Sequence, residues 1–257
     1  MTETMTNNLT IEQFFSEYAV MLLSSGATCA RLEKNVQRIA DAWGYKIEMA
    51  IMPRHIHITT TRNDGNSTTL IKGLDKANIS FDIVTKLSKL SWEIADNSKD
   101  IPFAVKSLKE IEKTKPANRW WVLIAASLAN ASFCRLFGGD LTAMATVFSA
   151  TMAGYFLKQV LVARKIDIRI IFIACAFVSL ILATADNLFS LGKTSEIAIA
   201  TSVLYLVPGI PFINAFSDLI DGHYICFFSR MTDAIILTAC LSMGLCLGMI
   251  VMRLGMF

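Results

Sequence analysis

The chain has 257 residues, of which 54% are hydrophobic, and its mean hydropathy is positive. This composition is unusual for a water-soluble protein and is typical of one with membrane-embedded segments. The net charge of +3 is too small to indicate binding to nucleic acid, and no RNA- or DNA-binding motif is present.

Charged residues divide the chain into two parts. Asp, Glu, Lys and Arg number 30 in residues 1–119 and only 15 in residues 120–257. The sequence therefore predicts a water-facing domain over 1–118 and a transmembrane domain over 119–257. The first residues have no basic start and no apolar core, so we do not expect a signal peptide.

The first part shows the patterning of a small α+β domain. Apolar residues recur at helical spacing near the start, and the polar residues around Gly26 predict a break between two helices. About 115 residues are enough for a core of their own. Gating and docking of a partner subunit are both open as its role. In chain order, the predicted elements are helices within 10–43, strands 46–52 and 55–62, a hairpin to a third strand, and helices 80–97 and 102–115.

The residues indicate neither a metal site nor an enzyme. His55 and His57 share one strand face without a third ligand, which is typical of a solvated face. The six cysteines form no CxxC pair and lie mostly in apolar runs, so we expect buried free thiols. No nucleophile–base pattern, phosphate-binding loop or dinucleotide motif occurs. The sequence therefore predicts no metal, no cofactor and no ATP-driven step.

The second part is an α-helical multi-pass membrane segment. A span needs about 20 largely apolar residues. Tandem tryptophans, Trp120 and Trp121, suit the membrane interface at its start. No internal repeat is evident, and five spans are few for a complete permeation path, which indicates a missing partner. The five predicted spans are 120–137, 141–161, 169–191, 197–220 and 225–252.

Basic residues predict the orientation of these spans. One Lys/Arg cluster precedes the first span and another surrounds the loop between the second and third, whereas the intervening loops carry only Lys193. Both clusters fall on the same side, which the positive-inside rule assigns to the cytoplasm. We therefore expect a cytoplasmic N-terminal domain and a C-terminus on the outside.

The fourth predicted span is interrupted. Its apolar run extends only from Ile197 to Val207, about half of a 30 Å hydrocarbon core. Pro208 removes a backbone donor, Gly209 loosens the chain, and Pro211 suits the first turn of a new helix. The pattern predicts a discontinuous helix, a feature that points to a transporter's binding site.

Polar residues follow the interruption on one helix face. Asn214, Asp218 and Asp221 are spaced four and three apart, and Asp218 is the candidate proton carrier or cation partner. Two interpretations stay open for residues 211–222: an intramembrane site, or an amphipathic helix lying on the membrane surface.

Three stretches resemble the threonine/serine exporter family. The most specific, "VPGIPFINAFSDLIDGHY", is similar to the signature Pro-Gly-x-Pro-x-x-Asn-x-x-x-Asp at Pro208, Gly209, Pro211, Asn214 and Asp218. The early "LLSSGATCARLE" and the segment "FCRLFGGD" after the first span resemble further parts of the family. The resemblance covers nearly the whole chain.

The resemblance implies a function and a partner. Single-chain members join such a unit to a second membrane unit, so this chain is similar to the larger component of the split, two-protein members. That implies a second small multi-span subunit in the lipid bilayer, although association of the chain with itself also stays open. The implied activity is proton-driven efflux of a small carboxylate across the bacterial inner membrane, with succinate ahead of threonine and serine.

Arg135, after the first span, has two interpretations. The family reading makes its guanidinium a contact for a substrate carboxylate, whereas an interfacial arginine would snorkel outward. Gly138 and Gly139 then predict a tight turn. A competing function for the whole chain is a membrane-tethered interaction or sensor protein, whose spans only anchor the first domain.

Overall fold

The structure is a computed structural model that describes residues 10–62, 65–74, 79–184 and 194–253. The described chain is mostly helical, with one three-stranded sheet near the N-terminus. It divides into two compact units. The first comprises Met1–Pro116 and Ile210–Met231, and the second comprises Ala117–Gly209 and Thr232–Phe257. The predicted division into a water-facing domain over 1–118 and a transmembrane domain over 119–257 stays a prediction.

The first unit contains the predicted helices and strands. Helix α1 has a capping box, in which Thr10 and Gln13 each bond the other's backbone, and Gly44 ends helix α2 in the left-handed conformation. The polar residues around Gly26 do separate the two helices, as predicted. The elements are α1 (Ile11–Ser24), α2 (Cys29–Trp43), β1 (Lys46–Ile51), β2 (His55–Thr61), β3 (Ser67–Gly73), α3 (Phe81–Asp96) and α4 (Ile101–Glu112).

The three strands form an antiparallel sheet in the order β1-β2-β3. Along β2, Ile56 and Ile58 are buried while His55 and His57 lie on the opposite face, so the predicted alternation is confirmed. The core is built from α1, α2, α3 and α4 against this sheet. Its buried Tyr18 donates a hydrogen bond from its hydroxyl to the Leu87 carbonyl, at 2.8 Å.

The second unit is helical. Its elements are α5 (Arg119–Leu136), α6 (Leu141–Ala163), α7 (Ile168–Ala183), α8 (Ser195–Thr201), a 3₁₀ turn (Leu204–Leu206) and most of α10 (Tyr224–Val251), which begins in the first unit; α9 (Gly209–Ile220) precedes α10. The tight turn at Gly138 and Gly139 joins α5 to α6, as predicted. On α10, a Cβ at Gly244 would collide with the Ile173 carbonyl, so glycine permits close approach to α7.

Fewer spans meet a simple length and hydropathy test than the five predicted. Helices α6 and α10 pass it, and a third span is counted if α8, the 3₁₀ turn and α9 form one broken span. Helix α5 carries two arginines, Asn130 and two serines, which lower its hydropathy. Helix α7 is apolar but has 16 residues, and residues 185–191 of that predicted span lie outside the described residues. Lys193, predicted in the following loop, also lies outside them.

Candidate functional site

The interruption of the fourth predicted span is a short non-helical link. The 3₁₀ turn ends at Leu206, Val207 and Pro208 are not helical, and α9 begins at Gly209. Pro208 is buried, and Pro211 lies in the first turn of α9, where a missing N–H costs nothing. The discontinuity that the sequence predicts is therefore present, with helix on both sides.

On α9, Asn214 and Asp218 face the rest of the first unit and contact the turn between α1 and α2. The Asn214 amide donates a hydrogen bond to the Gly26 carbonyl at 2.9 Å. One Asp218 oxygen, Oδ1, accepts a hydrogen bond from the Cys29 N–H at 3.0 Å. The two stretches that carry the family resemblance, around Gly26 and around Asp218, therefore bind each other.

The turn that receives these contacts depends on glycine. Gly26 has a φ of +96°, a conformation that other residues rarely adopt, and an added Cβ would lie 3.0 Å from the Cγ2 atom of Ile79. Cys29 is the first residue of α2, so its N–H belongs to the positive end of that helix. A carboxylate there is stabilised by the helix dipole as well as by the hydrogen bond.

Arg230 completes this arrangement. Its Nη1 atom lies 2.9 Å from Asp218 Oδ2, and its Nη2 atom donates a hydrogen bond to the Ala27 carbonyl at 2.9 Å. The Asp218 side chain is 0% exposed and that of Arg230 is 22% exposed. The guanidinium therefore holds a buried carboxylate and a backbone carbonyl together. We call Asn214, Asp218, Arg230 and the turn 26–29 the clamp.

Sequence reasoning missed Arg230 as part of the site. Arg230 lies near the start of the fifth predicted span, 225–252, and no sequence pattern linked it to Asp218. The available signal was weak, because Arg230 follows Asp218 by twelve residues and lies on a different helix. Only the reversal of the chain between α9 and α10 brings the two charges together.

Two further contacts join the start of α10 to the rest of the first unit. His223 Nε2 lies 3.4 Å from a carboxylate oxygen of Glu33, and Cys226 Sγ lies 3.6 Å from the Ile51 carbonyl. The Cys29 thiol is within hydrogen-bonding reach of Cys226. That hydrogen bond, together with burial, raises the pKa of Cys29 well above its ordinary value, so its thiol stays protonated at neutral pH.

The outward face of α9 is apolar. Ile213, Phe216 and Ile220 are 68%, 51% and 84% exposed, whereas Asp218 on the other side is fully buried. The first turns of α10 continue this face with Ile225 and Phe228. A helix on a water-exposed protein surface buries its apolar face and exposes its polar face. Helix α9 exposes its apolar face instead, as expected for contact with lipid.

Arg135 lies in the second unit, separate from the clamp residues in sequence and unit. Its side chain is exposed, and its Nη1 atom donates a hydrogen bond to the Gly139 carbonyl at 3.1 Å. The neighbouring Asp140 caps α6 by accepting from the Ala143 N–H at 2.8 Å. Arg135 thus stabilises the α5–α6 turn.

A buried polar contact inside the second unit is another feature that sequence reasoning missed. The Asn130 amide donates to Thr151 Oγ1 at 2.8 Å and to the Thr201 carbonyl at 3.2 Å. The latter is a carbonyl at the end of α8, which lacks a partner within the helix. Asn130 therefore stabilises the first half of the broken segment from α5.

The clamp consists of one ion pair, Asp218 with Arg230, and of hydrogen bonds to backbone groups of the turn 26–29. Among the described residues, no group of three or more histidine, cysteine or acidic side chains could hold a metal ion. In the part of the chain that the structure covers, neither the second Asp218 oxygen nor Arg230 Nη1 has a hydrogen bond beyond their ionic contact. The clamp is therefore suited to holding α9 in place or releasing it.

Comparisons with known proteins agree on one family. The model of the threonine/serine exporter family matches residues 13–252. "Probable succinate transporter subunit YjjP" of Klebsiella aerogenes is 29% identical over 233 residues, covering 90% of both chains. The protein of the same description from Escherichia coli K12 is 28% identical over 227 residues, 88% of each chain.

A longer relative also matches. "Probable threonine/serine exporter" of Mycobacterium tuberculosis is 22% identical over 236 residues, which are 88% of this chain but 43% of that protein. No solved structure matches the chain.

Proposed function

Since the chain belongs to the threonine/serine exporter family, we propose that it is one subunit of a two-component secondary exporter for a small carboxylate. Succinate is the first candidate substrate, because the two relatives that align over nearly their full length are described as succinate transporter subunits. Threonine and serine come next, from the description of the longer relative.

The requirement for a second subunit rests on the relatives. Two proteins of matching extent are described as subunits, whereas the probable threonine/serine exporter is more than twice as long as the part that aligns. In the proposal, a small multi-span membrane protein supplies the remaining membrane helices. The carboxylate path then requires both proteins.

The observation that carries the proposal is the two-sided character of α9. Its apolar face is exposed, and its polar face binds the turn 26–29 through Asn214 and Asp218. A helix of this kind, directly after a Gly/Pro interruption, is suited to a broken span whose second half is held by a cytoplasmic domain. In this proposal, the clamp couples the domain of residues 1–118 to the break at Pro208.

The residues of the clamp and Arg135 have distinct proposed roles. Pro208, Gly209 and Pro211 form the hinge, Asn214 and Asp218 hold its far side, and breaking the Asp218–Arg230 ion pair would free α9. Arg135 is a candidate carboxylate contact on the outer side, because its exposed guanidinium retains donors beyond the one bonded to Gly139.

The test is efflux of labelled succinate and labelled threonine from preloaded cells. The chain is first affinity-purified from its host's membranes, and the small membrane protein that co-purifies is identified by mass spectrometry. Cells then express either protein alone or both together. Succinate loss only with both proteins supports the proposal, and threonine loss moves the substrate to the amino acids.

Two outcomes would contradict the proposal. Efflux from cells that express this chain alone would remove the need for a second subunit and favour self-association. If no combination exports either substrate although both proteins reach the membrane, the membrane-tethered sensor becomes the better interpretation.

A further inference from the structure

A lysine inside the second unit has no acidic partner among the described residues. Lys158 is half-buried on α6, five residues before the helix ends at Ala163. Its Nζ atom lies 5.6 Å from the Tyr155 ring centroid and 5.5 Å from that of Phe172. Two aromatic faces stabilise a cation only in part, so an ammonium at this place favours a bound anion.

The position of the ammonium argues against simple snorkelling. A lysine near a helix end usually extends along the helix toward water and the headgroups. Here the ammonium lies over one ring on its own helix and one ring on α7. Phe172 belongs to a buried apolar cluster that also contains Cys175 and packs against Leu161. The cation is therefore directed toward the interior of the unit.

A pair of hydroxyl groups lies near the Tyr155 ring that this cation contacts. The Tyr155 and Tyr205 rings are 5.8 Å apart, and the Tyr205 hydroxyl pairs with Ser179 Oγ at 2.9 Å. Gly154 makes this approach possible, because a Cβ there would collide with both hydroxyl groups. Tyr205 belongs to the 3₁₀ turn directly before the break at Pro208, so the cluster includes the first half of the broken segment.

We infer that Lys158, with Tyr205 and Ser179, binds the carboxylate group of the exported metabolite. The inference rests on the proposed function and assigns the substrate's charged group to named residues. The Lys158 ammonium offers charge-assisted donors to an anion, and the two aromatic rings exclude water from that contact. The inference assigns the Tyr205 and Ser179 hydroxyls as the second group of donors. The substrate's carboxylate completes the ion pair that Lys158 lacks among the described residues.

The same chemistry discriminates between the candidate substrates. In threonine or serine, the α-ammonium is next to the carboxylate and would lie close to the Lys158 ammonium. No carboxylate among the described residues is paired with Lys158 or these hydroxyls to offset that repulsion. The site therefore prefers a carboxylate without a neighbouring cation, and succinate meets this requirement.

The test uses the purified two-protein complex in proteoliposomes and measures the concentration dependence of labelled succinate transport. Lys158→Met should raise KM about tenfold or more, because a charge-assisted contact is lost. Lys158→Arg should restore most of the affinity, and Tyr205→Phe should raise KM by a smaller factor. Lys165→Met, on an exposed loop lysine, is the matched control and should behave as wild type.

A binding measurement separates this inference from the proposed function. Succinate should raise the Tm of the wild-type complex and leave that of the Lys158→Met complex unchanged, whereas uncharged dimethyl succinate should stabilise neither. If the wild-type complex transports succinate and Lys158→Met has the same KM and the same Tm shift as wild type, this inference is wrong. The proposed function would still hold in that case. A wild-type complex that neither transports nor is stabilised by succinate would overturn the proposed function and this inference together.

Discussion

At the scale of single residues, Asp218 has the most demanding surroundings in the described chain. A fully buried carboxylate is unfavourable unless charged or hydrogen-bonding partners replace water. Both oxygens of Asp218 have such partners, the Cys29 N–H and the Arg230 guanidinium. The carboxylate and the docked position of α9 therefore depend on each other.

Replacing Asp218 with asparagine should destabilise the first unit by about 2–4 kcal/mol. The amide oxygen can still accept from the Cys29 N–H, but Arg230 loses its counter-charge. This loss of stability is near the lower end of the range for breaking a buried ion pair, because the Arg230 side chain is 22% exposed and keeps some contact with solvent. Thermal unfolding in detergent, followed by tryptophan fluorescence, measures the difference.

Asp221→Asn is the matched control for that experiment. Asp221 lies one turn further along and is exposed, so its replacement should change stability by less than about 0.5 kcal/mol. Combining Asp218→Asn with Arg230→Met should cost less than the sum of the two single changes. Additive costs would show that the two side chains do not interact.

Glu12 provides a pH-dependent contribution to the same unit. A hydrogen bond from its own backbone N–H, with contributions from Thr10 and Arg62, holds the pKa of Glu12 below its ordinary value of 4.5. Its carboxylate lies 2.9 Å from Arg62 Nη2. Because the folded state lowers this pKa, the contribution is present above pH 4.5 and is lost as the pH falls through the folded-state value.

Glu12→Gln should therefore be less stable than wild type at pH 7, by about 0.5–1 kcal/mol, because half-exposed Arg62 limits the ion pair. The difference should shrink as the pH falls below 4.5 and disappear in stronger acid. Unfolding measured across this range tests the sign. A difference that grows toward acid pH would contradict the assignment.

At the scale of elements, local sequence patterns predicted most of the first unit and the break in the fourth span. Alternating apolar and polar residues predicted β2, and apolar residues at helical spacing predicted α1 to α4. Pro208 and Gly209 predicted the interruption. The same patterns could not show which surface α9 covers. Asn214 and Asp218 share a face, but a shared face is compatible with a water-filled path or with a neighbouring helix turn.

A disulfide can test whether α9 and the start of α10 dock as described. Cys29 and Cys226 are buried with their thiols in contact range, so oxidation with diamide should link them in a chain that retains only these two cysteines. Two thiols lose two hydrogens, and diamide is reduced to the hydrazine. Mass spectrometry of the peptides should show the linked pair.

The controls for the cross-link are the two single-cysteine chains, which should give no intramolecular product. Burial slows access of the oxidant, so the yield should increase when mild heating opens the clamp transiently. If diamide fully oxidises the cysteine pair in an unfolded sample but leaves it reduced in the folded chain, the docked arrangement is contradicted.

At the scale of the whole molecule, the contacts that define the two units lie beyond the reach of local patterns. Asn214, Asp218 and Arg230 bind residues that are 188 to 203 positions earlier in the chain. Periodicity covers tens of residues at most, so the sequence assigned 210–231 to the membrane half. The Lys158 cluster was missed for a related reason, since its hydroxyls are dispersed singly over three helices.

The orientation that basic residues predict can be compared with the membership of the first unit. If the N-terminal domain is cytoplasmic and the broken segment crosses from outside to inside, then α9 and the start of α10 arrive on the cytoplasmic side. Those are the residues that form one compact unit with Met1–Pro116. The predicted orientation and the unit membership are therefore compatible, and the orientation stays a prediction.

Labelling of single cysteines in intact cells tests this orientation. Phe137, Arg164 and Asp221 are exposed and lie at or just after the ends of the first, second and fourth predicted spans. In a chain without other cysteines, a membrane-impermeant maleimide should label position 137 directly. Positions 164 and 221 should react only after the inner membrane is permeabilised. Direct labelling at 221 would place α9 on the outside, and since the clamp binds α9 to the turn 26–29, it would also require the N-terminal domain to be outside.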